Sequence, residues 1–196
     1  MKGMFIVIEG PDGAGTTLHA RLLSEKIRST GRDVLVTAEP TNSMIGTLIR
    51  ACLKGKEPIP SSALQLLFSA DRAWHVEQVI LPALSSGTVV ISDRYIASTI
   101  AYGVSLGLDE QWLKDLNKTF LQPDLELFTL PPIAICMERI LRRDKTDILE
   151  ERSLQEKIHA TYHRLAKDHP SIVVIDTSGE KKDSAEKIWS SVSQKF

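Results

Sequence analysis

The sequence predicts an α/β domain built on a central parallel sheet of about five strands, with helices layered on both sides. Short β-rich apolar runs recur along the chain, and stretches with helical spacing of leucines and isoleucines separate them. The first such run leads through a glycine-rich turn directly into a helix, the connection a parallel sheet needs. Phe5-Ile6-Val7-Ile8 is apolar on both faces and reads as a central strand. Leu18, Leu22, Leu23 and Ile27 make the first helix, which Gly31 ends before strand Val34-Leu35-Val36. Ile45, Leu48 and Ile49 form a short amphipathic helix, and residues 61–85 form a long one with a bend expected at Pro82. Strand Thr88–Ile91 precedes helices over 98–104 and 110–120. Strand Leu125–Leu130 precedes a helix from about Ile133 to Arg142. A charged helix over 153–167, strand Ile172–Ile175 and a helix over 185–193 complete the chain. There are no repeats, low-complexity tracts or Pro/Gly-rich linkers, so residues 1–196 are expected to form one domain.

Composition narrows the function. The 196 residues carry 24 Lys and Arg against 25 Asp and Glu, a formal charge of −1. That balance lacks the bulk positive field of a nucleic-acid or membrane-surface binder, but small anions need only a local patch. Two cysteines, Cys52 and Cys136, are too few for a disulfide scaffold and point to a reducing, cytoplasmic setting. No apolar run approaches the ~20 residues of a membrane span, and the apolar part of Met1–Glu9 is too short for a signal peptide.

Ligands of parallel α/β sheets sit at the carboxyl ends of the strands, so the loops there carry the chemistry. After the first strand, Gly10-Pro11-Asp12-Gly13-Ala14-Gly15 has the G-x-x-x-x-G spacing of a phosphate-cradling P-loop. Glycines let successive backbone N–H groups turn inward, and the helix that follows adds the positive end of its dipole. The lysine that should come next is Thr16, while Thr17 holds the position whose hydroxyl would bind Mg²⁺. A glycine-rich turn with no ligand is the bland reading; strand, loop and helix in the required order favour phosphate.

Two further segments carry a resemblance. Leu66-Leu67-Phe68-Ser69-Ala70-Asp71-Arg72, with His75-Val76-Glu77 and Ile80-Leu81-Pro82 beyond it, is similar to the long helix of thymidylate kinases. Asp93-Arg94-Tyr95-Ile96-Ala97-Ser98-Thr99, followed by Tyr102, resembles that family's DRY-x-x-S-x-x-x-Y segment. Glu39-Pro40, Ile45-Gly46, Pro123-Asp124-Leu125 and Glu138-Arg139 extend the match across nearly the whole chain. The resemblance implies a P-loop NTPase of nucleoside monophosphate kinase type, with ATP and dTMP as substrates, Mg²⁺ as cofactor and a homodimeric state. The apolar faces near 61–82 and 98–106 are candidates for the dimer contact.

Carried over residue by residue, the family implies that Phe68 stacks on thymine and Arg72 hydrogen-bonds the base. Arg94 would grip the acceptor phosphate, and Asp12 would sit near the sugar and the reacting phosphates. Ser98 and Thr99 would line the base pocket, and Tyr102 would pack on the nucleoside. Thr17, with Asp93 behind it, would position Mg²⁺. A guanidinium fork suits a phosphate ester and an aromatic face suits a pyrimidine. Each has a plainer alternative: Phe68 and Tyr102 as ordinary core, Arg72 as a surface charge paired with Asp71 or Glu77.

Arg139, Arg142, Arg143 and Lys145, less Asp144, put +3 within seven residues. Gly13 stands where one class of the family has a P-loop arginine, so the resemblance implies the class that delivers arginines from a lid, here about 139–151. A solvated charged helix is the alternative. His159 and His163 share a helix face, but no third metal ligand is evident. Four positions depart from the family pattern, and each removes charge near phosphate: Thr16, Ala38 before Glu39, Leu130 after the fourth strand, and Ile148 in the lid. A kinase for another pyrimidine nucleotide or a deoxynucleoside, or a nucleotide-binding relic without transfer, is therefore the competing reading.

Overall fold

Every residue of Met4–Glu9 is buried, so strand β1 is covered on both faces. The computed structural model describes residues 2–142 and 147–195. Strands β1 (Met4–Glu9), β2 (Val34–Ala38), β3 (Val89–Asp93), β4 (Leu125–Thr129) and β5 (Val173–Ile175) form one sheet in the order β2-β3-β1-β4-β5, every pair parallel. Alternate side chains enter opposite layers. Ile6, Ile8, Ile91 and Leu127 pack with Leu23 and Ile27 of α1 (Thr16–Arg28) and Ile188 and Val192 of α9 (Lys181–Ser193). Phe5, Val7 and Val90 face Val76 and Ile80 on the other side, where Phe128 packs with Ile158 and Tyr162 of α8 (Arg152–Asp168).

The long helix expected over 61–85 is present but irregular. It runs as α3 (Ser61–His75), a π-helical turn over Val76–Ile80, and α4 (Leu81–Ser85). Pro82 lacks an N–H and its ring crowds the carbonyl four residues back; widening the helix before it relieves both. The remaining helices are α2 (Met44–Leu53), α5 (Ile96–Ser105), α6 (Glu110–Asn117) and α7 (Ile133–Leu141). The last helix begins at Lys181, four residues before its expected start. Among the described residues no helix is long and apolar enough to cross a membrane.

Because β1 lies between β3 and β4, the loops after β1 and β3 are neighbours at one sheet edge. Arg94 donates its backbone N–H to the Ile8 carbonyl at 2.9 Å, joining the two loops directly. Gly13 fits its loop only as glycine: its φ is +79°, and a Cβ would lie 2.3 Å from the Cys136 carbonyl oxygen of α7. A P-loop arginine at this position is sterically shut out.

Inside the sheet, Glu126 of β4 has its carboxyl pushed up to about 8 by burial and by Glu9. A raised acid is more protonated folded than unfolded, so its contribution is full below about 4.5 and lost as pH rises through 8. Glu126→Gln is therefore expected to raise Tm at pH 8–9 and leave it little changed at pH 4.5, as read by thermal unfolding.

Candidate active site

The turn after β1 starts α1 through Gly15, whose left-handed φ of +89° aims the chain into the helix. Two neighbours brace it. Arg139 donates to the carbonyls of Gly13 (3.1 Å) and Thr177 (2.7 Å), and the Thr177 hydroxyl donates to Ala14 O at 2.8 Å. Thr16 is buried at the first helical position, and Thr17 Oγ1 donates to Asp93 Oδ2 at the end of β3.

Arg94 is the centre of the constellation. Its φ is +70°, a left-handed conformation that costs a non-glycine residue about 1–3 kcal/mol and is kept where the surroundings overdetermine it. The guanidinium donates to Gly10 O (2.7 Å), Asp12 Oδ1 (2.7 Å) and Ser98 Oγ (3.2 Å), and lies over the Tyr102 ring at 5.2 Å. Asp12 Oδ2 in turn accepts from the Tyr102 hydroxyl and from Gln155 Nε2, both at 2.8 Å. Behind them Glu9 is wholly buried and accepts from the N–H groups of Tyr95 and Ser98 and the hydroxyls of Ser98 and Tyr162. Burial raises the Glu9 carboxyl, with Ser98 and Arg94 opposing that rise.

A cavity of about 160 Å³ opens beside this group, lined by Phe68, Arg72, Ser98, Thr99, Tyr102 and Arg94 among others. Phe68 lines it from its place at the edge of the cluster of Ile49, Cys52 and Leu64. Arg72 is 1% exposed, which overturns its reading as a surface charge. It pairs with Glu39 at 2.7 Å and donates to Asn117, Tyr95 O (2.7 Å) and Thr99 Oγ1 (3.0 Å). His75 Nδ1 lies 3.0 Å from the other Glu39 oxygen. Asp71, the other acid considered for Arg72, instead accepts from Thr41 N, Thr41 Oγ1 and Ser43 Oγ, clipping the loop after β2 to α3. Truncating one member of a buried pair strands the other, so Arg72→Ala and Glu39→Ala are each expected to cost about 3–5 kcal/mol in urea unfolding.

One family matches the sequence over most of its length. The family model for thymidylate kinase matches residues 8–188. The chain belongs to the thymidylate kinase family. Its relatives include proteins described as probable thymidylate kinase from Thermococcus onnurineus (42% identical, 92% of each chain) and from Methanocaldococcus jannaschii (36% identical, 98% of this chain and 95% of the relative). A thymidylate kinase from Thermomicrobium roseum is 37% identical over 97% of this chain and 94% of its own.

Within this thymidylate kinase, Asp12, Arg94, Phe68, Arg72, Ser98, Thr99 and Tyr102 converge on one cavity. Arg139 and Arg142 are not among the residues that line it. Arg139 braces the P-loop backbone, whereas Arg142 is exposed and pairs with Glu138 on its own helix. The helix ends at Leu141, with Arg142 as its C-cap. Arg143 and Lys145 lie outside the described residues. His159 Nε2 lies 2.9 Å from Pro131 O and its ring touches His163; among the described residues no cluster of three metal-binding side chains is present.

Sequence reasoning missed Glu9, Gln155, Tyr162, Asn117 and Asp147 as site residues. Glu39 and His75 stood inside quoted motifs without a role. Gln155 and Tyr162 had no local signal: an isolated polar residue on a charged helix looks like solvated surface. Asp147 lines the cavity mouth with Leu149, and burial pushes its carboxyl up to about 6.

Proposed function

We propose that this chain transfers the γ-phosphoryl group of ATP to dTMP, giving dTDP and ADP. The observation that carries the reading is the position of Arg94, between the P-loop and the cavity of Phe68 and Arg72. A nucleoside monophosphate in that cavity places its phosphate against the guanidinium and its base against Phe68 and Arg72. ATP phosphates take the N–H groups of Gly13 and of Gly15, Thr16 and Thr17 at the start of α1, so the two substrates meet at Asp12.

The acceptor phosphate is already a nucleophile, so no general base is needed. The chain aligns the two phosphates, excludes water and neutralises charge. Arg94 remains charged throughout, held by Asp12 and Tyr102. Mg²⁺ suits the residues present: Thr17 Oγ1 meets Asp93, and Asp93 Oδ1 is buried without a hydrogen-bond partner among the described residues. Bound there by the Thr17 hydroxyl, with Asp93 ordering its waters, the ion would screen the ATP phosphates.

Residues 139–151 act as the lid over ATP in this reading. Support comes from their far end, where Ile148 N–H donates to Leu53 O and Leu149 is buried at the cavity. The lid and the α/β body form one domain. A cytoplasmic homodimer completes the reading, with exposed Leu66, Trp74 and Leu81 on the α3–α4 run as the contact. A coupled ADP-release assay with ATP–Mg²⁺ and dTMP, dUMP, dCMP and UMP tests the function. Turnover is expected with dTMP foremost. Turnover of dCMP or UMP but not dTMP would sink the substrate assignment, and dTMP binding without ADP release would leave a nucleotide-binding relic.

A further inference from the structure

Gln65 sits on α3 one turn before Phe68 and two turns before Arg72, and it lines the same cavity. Its side chain is 0% exposed, and neither Nε2 nor Oε1 has a hydrogen-bond partner among the described residues. A buried amide without partners forfeits the hydrogen bonds water would supply, so native interiors hold few of them. Among the described residues, Ser69 Oγ and Arg72 Nε, at i+4 and i+7 from Gln65 on the same helix face, are also buried without a hydrogen-bond partner, as is the Tyr95 hydroxyl; Arg72 and Tyr95 line the same cavity. At the opposite, phosphate end, Asp12 and Arg94 are bonded to each other and to Tyr102, Gln155 and Gly10. Two other unpartnered buried atoms, His19 Nδ1 and Asp93 Oδ1, lie toward the P-loop, and Gln65 alone has both polar atoms of its side chain unmet among the described residues.

We infer that Gln65 is a specificity-determining residue that reads the pyrimidine edge, its Oε1 accepting the ring N3–H; this rests on the dTMP reading above. Thymine presents one ring donor, N3–H, flanked by two carbonyl acceptors. Arg72 carries donors only and can serve a carbonyl but never N3–H. Glu39, the carboxylate of that wall, is already taken by Arg72 and His75. Gln65 offers an acceptor and a donor side by side, the complement of an N–H next to a C=O. A site built to hydrogen-bond a ligand group rejects analogues that lack it, because its own buried partner is then stranded.

Calorimetric titration of the full chain with dTMP and with its 3-deaza analogue, in which C–H replaces N3–H, tests this. Wild type is expected to bind the analogue about 10-fold more weakly, and Gln65→Leu to bind both ligands alike with a Kd for dTMP raised about 10-fold. Without ligand, Gln65→Leu should unfold at the same or a higher temperature, since the stranded amide is gone. Undiminished discrimination in the variant, or an equal loss for both ligands, overturns the inference and makes the amide a packing or buried-water group. Gln65→Met, closer in shape, replaces the leucine variant if that one fails to fold. Wild type that neither binds nor phosphorylates dTMP overturns the substrate reading itself. Normal wild-type turnover with an indifferent variant overturns only the role of Gln65.

Discussion

Arg94→Met is expected to lower kcat/KM for dTMP by at least about 10³-fold, measured by ADP release under subsaturating dTMP. The side chain is the joint of the site: one guanidinium holds Gly10 O and the Asp12 carboxylate of the P-loop and the start of α5 through Ser98. Methionine keeps an apolar stem but loses the guanidinium that lies over Tyr102, supplies no charge to the phosphate and leaves Asp12 facing an incoming anion alone. Arg94→Lys separates the two effects. It restores a point charge without the planar fork, so it is expected to recover only part of the loss. Both variants still require a left-handed residue at this position, so backbone strain does not confound the comparison. Activity within about 10-fold of wild type in the methionine variant would remove Arg94 from the phosphate site.

Thr16→Lys is expected to raise kcat by about 10²-fold at saturating ATP and dTMP. Threonine donates one neutral hydrogen bond where a P-loop ordinarily places a cation against the β- and γ-phosphates. The structure shows that three nearby arginines are otherwise engaged. Arg94 is paired with Asp12, Arg139 is bonded to the Gly13 and Thr177 carbonyls, and Arg142 is paired with Glu138. Thr16 is the first residue of α1, so a lysine there starts beside the loop amides with its long stem free to follow them. Steady-state ADP release decides the matter. An unchanged kcat would mean that another residue of 139–151 already delivers that charge, and a coincident loss of stability would show that a lysine cannot be accommodated beside buried Thr16.

Much of the fold was legible because its signals are local. The five strands announce themselves as β-rich apolar runs, and all five fall where expected, with ends shifted by a few residues. The P-loop and the Asp93-Arg94 pair are legible for a related reason: chemistry in a parallel sheet is confined to the loops at one edge. The π-helical turn was foreshadowed only as a bend at Pro82, since a proline marks where a helix must yield but not how. The polar interior was not legible. Arg72 finds Glu39 across 33 residues, Gln155 finds Asp12 across 143, and Tyr162 finds Glu9 across 153.

Residue order alone thus places a glycine-rich turn between β1 and α1, Arg94 directly after β3, and Phe68 and Arg72 one turn apart on α3. Those features depend on backbone turns and on spacing along one element. Tertiary packing settles which charges meet. The five-strand order sets the loops of β1 and β3 side by side and drapes α8 across them, and that choice pairs Asp12 with Arg94 and Gln155. It also sets Arg139 against the Gly13 carbonyl, while Arg142 pairs with Glu138 on its own helix. A charge inside a protein must find a partner wherever packing offers one, and packing is a property of the whole chain.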